Sequence, residues 1–197
     1  MDIRLENLSK TYGTVPALSP LSLTIEKGER VCLVGPSGCG KTTLVRLLLG
    51  LIEPTTGTIT GLPEKVSAVF QENRLCPDFS LLTNVLLGDR KATKEAALEL
   101  LLRLGLQEAA RQKAATLSGG MARRAALARC LVREADLYLL DEPFSGLDEA
   151  TKLAAMDTLR TYTKGKTVLL VTHDKREAAY LSCRTVTLTK PVVEKNL

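Results

Sequence analysis

A chain of 197 residues, 45% hydrophobic and 25% charged, has the composition of a globular domain rather than of a disordered segment. It has no apolar run of the roughly 18 to 20 residues that span a bilayer and no signal-like apolar stretch near its start, so a soluble, intracellular protein is expected. The net charge is +5, but the 27 Lys and Arg are dispersed and there are only four Tyr, three Phe and no Trp, so nucleic-acid binding is not expected.

Taken in chain order, strand-like and helix-like segments alternate, which predicts an α/β fold. Ile3–Leu8 and Leu21–Ile25 read as strands, with a turn at Glu26–Glu29. Arg30–Val34 is a short apolar strand entering a glycine-rich loop, and Lys41–Leu49 reads as a helix that Gly50 terminates. Thr58–Thr60 and Val66–Phe70 are short strands, and Leu81–Gln112 is helical in pattern, most clearly over Glu95–Leu104. Another helix follows Ser118, whose hydroxyl suits an N-cap. The densest basic cluster, Arg123, Arg124, Arg129 and Arg133, lies on this helix among alanines. Leu137–Leu140, Thr167–Val171 and Arg184–Leu188 are late strands, with helices over about Glu149–Thr163 and Lys175–Leu181. Residues 1–190 are expected to form one domain and 191–197 a frayed tail. Five cysteines with no metal-type spacing, and one histidine, argue against a disulfide framework or a zinc site.

The strongest local signal is Gly35-Pro36-Ser37-Gly38-Cys39-Gly40-Lys41-Thr42, which fits G-x-x-x-x-G-K-[ST] between a strand and a helix. Glycines let successive N–H groups turn inward around phosphate oxygens, and the helix behind presents its positive end to the same anion. Lys41 would pair with the β and γ phosphates, and Thr42 would offer its hydroxyl to Mg²⁺. Thr43 completes the expected nucleotide-binding set. A thiol at Cys39, beside a helix N-terminus, is expected to be reactive, so that its alkylation blocks nucleotide binding. About 100 residues on, the buried run Leu137–Leu140 ends in Asp141-Glu142, as for a strand that delivers one carboxylate, Asp141, to the metal. Its neighbour Glu142 is placed to take a proton from attacking water.

Between these two lies Leu117-Ser118-Gly119-Gly120-Met121, followed by Ala122-Arg123-Arg124-Ala125-Ala126-Leu127-Ala128-Arg129. Here the sequence resembles the ATP-binding subunits of ABC transporters, whose signature reads LSGGQ. Other elements fall in that family's order: Tyr12 at the adenine-stacking position, Gln71 in the Q-loop, Ser145-Gly146-Leu147-Asp148 in the D-loop, and His173 at the switch position. The resemblance runs from about Ile3 to Leu188. It implies a P-loop core with a small N-terminal antiparallel β subdomain and a short inserted helical subdomain, about 72–117 plus the signature helix to about 134. It also implies that two cassettes meet head to tail, each ATP lying between one P-loop and the partner's Ser118, Gly119 and Gly120. Glu142 would then be the general base, His173 would contact the γ-phosphate, and Gln71 would sense the metal and the attacking water. Asp148 would act in the D-loop or simply cap the next helix.

Met121 departs from the signature's Gln and removes an amide near the nucleotide ribose, and no regulatory module is expected after the core. The stretch Asn73–Val85 resembles the region that receives a coupling helix of a membrane subunit, where Leu75, Phe79 and Leu82 either line an apolar groove for that helix or close the small helical subdomain on itself. The expected function is therefore an ATPase subunit, with ATP and Mg²⁺ as cofactors, that powers a transmembrane permease from the inner face of the cell membrane. Its contact with the membrane would run only through the permease, and its second cassette is expected to be a copy of itself. The pattern is most similar to importers of the nitrate, sulfonate and taurine type. The alternative is a soluble ABC ATPase acting on nucleic acid or ribosomes, which usually has tandem cassettes or a long coiled-coil insertion.

Overall fold

The computed structural model describes residues 1–191, so most of the expected tail at 191–197 lies outside the described residues. The strands form two sheets. The first is antiparallel: β1 (Ile3–Tyr12) lies between β2 (Val15–Ile25) and β4 (Thr56–Thr60). β1 and β2 extend beyond their expected ends, through the polar stretch 9–12 of β1 and through 15–20 of β2, where the pairing has register shifts and β2 includes Pro16 and Pro20. Such segments carry little apolar periodicity to announce them.

The second sheet is parallel, in the order β5–β6–β7–β3–β8, with β3 at Arg30–Val34, β5 at Val66–Val69, β6 at Leu137–Asp141, β7 at Thr167–Val171 and β8 at Arg184–Thr187. Its central strands are continuous apolar runs because both faces are covered. Leu137, Leu139, Leu169, Val171, Val31 and Leu33 point to one face, where they pack with Leu44, Val45 and Leu48 of α1 (Lys41–Leu48) and with the antiparallel sheet. Tyr138, Leu140, Val168, Leu170, Cys32 and Val34 point to the other. There they meet the helical segments, which include α4 (Gly119–Leu131) and α5 (Glu149–Tyr162).

The stretch expected to be helical from Leu81 to Gln112 is two short helices, α2 (Leu81–Leu86) and α3 (Lys94–Arg103), and neither reaches Gln112. α3 stops because Gly105 adopts φ 64°, and residues 106–112 turn back to pair with α2, where the Leu81 and Leu82 amides donate to Gln112 O and Ala110 O. Side-chain caps start α2 (Ser80), α3 (Thr93), α4 (Ser118), α5 (Asp148) and α6 (Lys175–Tyr180, capped by Asp174). α1 differs: its N-cap, Gly40, has no side chain to offer, and its φ of 99° is left-handed.

Candidate nucleotide site

A parallel sheet gathers its binding residues beyond the carboxyl ends of its strands. Four neighbouring strands here end together. β3 runs into the Gly35–Lys41 loop, β6 ends at Asp141, β7 is followed by Thr172-His173, and β5 by Phe70-Gln71. They enclose a cavity of about 570 Å³, within the range of nucleotide-sized sites. Its walls include Gly38, Lys41, Thr42, Gln71, Glu142 and His173, with Val15, Pro16 and Ala17 along the rim.

At the centre, the Thr42 hydroxyl donates to Asp141 Oδ2 at 2.7 Å, joining the first turn of α1 to the end of β6. Asp141 is 2% exposed, and burial raises its pKa above the usual carboxylate value, with the like charge of Glu142 adding to this and the Thr42 hydrogen bond opposing it. A hydroxyl beside a buried carboxylate, facing the first turn of a helix, is a hard-oxygen donor pair suited to Mg²⁺. Lys41 Nζ donates to the carbonyls of Gly35 (2.8 Å) and Pro36 (3.1 Å), which holds the ammonium over the loop. Because no side chain caps α1, its first N–H groups remain available to an anion, and the adjoining loop forms a concave run of amides.

Glu142 follows directly, in the left-handed region at φ 51°, with its N–H bonded to Val171 O at 2.9 Å. For a residue with a Cβ this conformation costs of order 1 to 3 kcal/mol, and such positions gather at functional sites. The turn aims the carboxylate away from Asp141 and onto His173, whose Nδ1 lies 3.0 and 3.1 Å from its two oxygens. The hydrogen bond to Glu142, then its charge, raise the His173 pKa above 6.5. The residues on either side of His173 are held by a network that the sequence did not announce. The Thr172 hydroxyl donates to Glu177 Oε2 at 2.6 Å, and Lys152 Nζ bridges Asp174 and Glu177, each at 3.2 Å. Glu177 is 4% exposed, and its only signal in the sequence was its place one turn beyond the histidine.

Other expected site residues fall elsewhere. Tyr12 lies outside the cavity wall, 46% exposed, with Lys10 Nζ 5.2 Å from its ring centroid. Pro36 and Cys39 belong to the loop but do not face the cavity; the Cys39 amide donates to Pro36 O, and its side chain is 1% exposed, turned into the core beside Leu18 and Leu44. The expectation of an alkylatable thiol is therefore corrected: a reagent reaches Cys39 only when the loop opens. Ser118 and Gly119 are exposed and lie off this cavity, the Ser118 hydroxyl accepting from Met121 N at 3.3 Å. The Met121 side chain packs against the helical core. Asp148 caps α5 through Thr151 N at 2.9 Å, and that bond lowers its pKa. Of the three candidates for an apolar groove, only Phe79 is exposed, at 48%, because Leu75 and Leu82 pack against the core; Leu87, 54% exposed, was missed.

A phosphate loop, an uncapped helix behind it, and a carboxylate pair at the end of the adjacent strand define a P-loop nucleotide-binding cassette. Residues 18–145 match the ABC transporter family, and the chain belongs to that family as its ATP-binding, ATP-hydrolysing cassette. It is 45% identical over 192 residues to aliphatic sulfonates import ATP-binding protein SsuB 1 of Nocardia farcinica, covering 95% of this chain and 78% of that one. It is 46% identical to the SsuB protein of Granulibacter bethesdensis, covering 94% and 79%. Among solved structures, the dimeric bacterial ABC transporter cassette MJ0796 aligns with a TM-score of 0.85 at 33% identity, over 95% of this chain and 94% of that one. A post-hydrolysis dimer of MJ0796 bound to ADP and Pi aligns with the same TM-score at 32% identity, over 94% of each chain.

Proposed function

We propose that this cassette powers an importer of small organic sulfonates, closing as a dimer on two ATP molecules and opening after hydrolysis. The importer class and the sulfonate follow the names of relatives near 45% identity, and the recognition of the sulfonate itself rests with other subunits. Lys41 and the loop amides of Gly35–Thr43 bind the phosphates, with Tyr12 stacking on the base. Thr42, Asp141 and Gln71 would hold Mg²⁺, which would supply charge neutralisation to the bound phosphates. Glu142 takes the proton of the attacking water, and His173 orients Glu142 and meets the γ-phosphate. Ser118, Gly119, Gly120 and Asp148 act on the partner's nucleotide, which accords with the exposure of Ser118, Gly119 and Asp148.

Residues 1–190 act as one ATPase domain, with 72–117 and the following helix as its helical part. A permease docks on the side of Phe79 and Leu87, so that the cassette works peripherally at the cytoplasmic face of the membrane. Among the described residues, no helix is long and apolar enough to cross a membrane.

The observation that carries this reading is the meeting of Thr42, Asp141, Glu142 and His173 at three adjacent strand ends, while Ser118 lies off the same cavity. The test is the solution mass of Glu142→Gln with and without Mg-ATP. A monomer that becomes a dimer only with Mg-ATP supports the clamp. A variant that binds ATP and stays monomeric refutes it.

A further inference from the structure

The four arginines of the α4 region suggested a basic patch in the sequence, yet three of them are spent on backbone carbonyls. Arg123 Nη1 donates to Phe70 O at 2.9 Å, and its Nη2 donates to Gln71 O. Two turns further along α4, Arg129 Nη1 donates to Arg74 O at 2.7 Å and its Nη2 to Asn73 O at 2.9 Å. Four of the five carbonyls from Phe70 to Arg74 are thus held by two guanidinium forks of one helix. The loop needs such holding: Arg74 sits at φ 48°, and its own guanidinium lies 4.1 Å from the Phe70 ring centroid. Arg124, in contrast, turns the other way, to Leu104 O at 2.7 Å and Gly105 O at 3.3 Å, and so ties the helix to the end of α3.

We infer that Arg123 and Arg129 are positioning residues that join the Gln71 loop to α4, so that Gln71 in one nucleotide site and Ser118, offered to the other, move as a single body. Arg123 stands five residues from Ser118 along one continuous helix, a rise of about 7.5 Å, so a displacement of Gln71 reaches Ser118 without an intervening hinge. The planar fork matters, because two terminal nitrogens fixed in one plane set the positions of two successive carbonyls, whereas an ammonium is a single nitrogen on a flexible stem. Arg123 is also half-buried, and the charges of Asp141 and Glu142 act on its guanidinium. The inference rests on the dimer reading for its consequence in trans, but not for the joint itself.

Two readouts test it. The first is amide hydrogen exchange in the ligand-free protein. With Arg123→Met, the amides of 71–75 should exchange at least about tenfold faster, because a loop that loses charge-assisted bonds opens locally, while the amides of β6 and β7 should be unchanged. The second uses the Glu142→Gln background. Adding Arg123→Met should raise the Mg-ATP concentration at half-maximal dimer by at least about tenfold, while ATP affinity at the monomer's own loop stays within about twofold. In otherwise wild-type protein kcat should fall with little change in the KM for ATP. Arg123→Lys, which retains the charge but has a single nitrogen on a flexible stem, should be intermediate in each assay and serves if the methionine variant folds poorly. Unchanged exchange at 71–75, or faster exchange with an unchanged dimer midpoint, overturns the proposal. If Glu142→Gln alone stays monomeric, the dimer reading fails instead, and the exchange result alone then decides whether the joint exists.

Discussion

Replacing Gly38 or Gly40 by alanine separates two costs that a phosphate loop imposes. Both have positive φ, 79° and 99°, yet their surroundings differ. A Cβ at Gly38 meets nothing within 4 Å, so only the backbone conformation resists it. Left-handed geometry costs an alanine roughly 1 to 2 kcal/mol. A Cβ at Gly40 would stand 2.6 Å from Ala17 O and 2.8 Å from Leu18 Cδ1, and the former is backbone that cannot swing aside. Crowding of this kind adds about 1 to 3 kcal/mol, and φ 99° is further from the left-handed well than φ 79°. Gly38→Ala should therefore destabilise by about 1 to 2 kcal/mol and Gly40→Ala by about 2 to 5. At roughly 2 to 4 °C per kcal/mol for a chain of this size, the melting temperatures should fall by roughly 2 to 8 °C and 4 to 20 °C. Thermal unfolding followed by circular dichroism, with binding of a fluorescent ATP analogue beside it, checks both. Equal losses for the two variants, or a Gly40→Ala protein as stable as the parent, would refute the argument from close approach.

Three further outcomes are expected. Thr42→Val removes the hydroxyl that donates to buried Asp141 and should cost about 1.5 to 3 kcal/mol in urea unfolding, along with Mg²⁺-dependent activity; a loss below half a kcal/mol would deny the pair its role. His173 is the chain's one histidine, so its ring resonances titrate without overlap. Because the Glu142 hydrogen bond raises its pKa, the pair's stabilisation is complete below about pH 6.5 and is lost as pH rises through the raised value. Glu142→Gln should move the titration midpoint down, and an unmoved midpoint would contradict the pairing. Asn84, 0% exposed, accepts from Cys76 N and donates to the carbonyls of Cys76, Phe79 and Ser80. Asn84→Ala should cost about 2 to 4 kcal/mol and speed amide exchange over 76–80; a change under half a kcal/mol would mean that the loop is held by other groups.

What could be read from the sequence followed how local the physics was. β3 and β7 were placed to the residue because buried central strands are uninterrupted apolar runs bounded by turn residues. The phosphate loop and the Asp141-Glu142 pair were legible because their chemistry requires particular residues at particular spacings. The two arginine forks were not, since their acceptors are backbone carbonyls 52 to 56 residues away, and a carbonyl leaves no mark in the sequence. Asn84 escaped for the same reason. For Leu75 and Leu82 the sequence left open a docking groove or closure of the helical part on itself, because an apolar side chain does not say what covers it, and here the core covers them. Cys39 was misread because the glycines around it suggested an open loop, whereas its own side chain turns inward.

The two helix starts that matter most divide the work by how their first N–H groups are satisfied. At α1 the cap is Gly40, with no side chain to accept a bond, so the loop and helix amides stay available to an anion in the chain's own cavity. At α4 the Ser118 hydroxyl takes the Met121 amide, which fixes the end of the helix, while the Gly119 and Gly120 amides have no hydrogen-bond partner among the described residues. One terminus is thus open and concave, the other braced and presented. A ligand that satisfies the first leaves the second without a partner inside the same chain. The charge arrangement agrees: Asp141 and Glu142 stand beside the open terminus, where a cation is needed to hold a polyphosphate, and no carboxylate of the described residues lies on the 117–122 segment. On the dimer reading proposed above, one nucleotide would complete both termini only by lying between two chains, which is what that reading asks of a second copy.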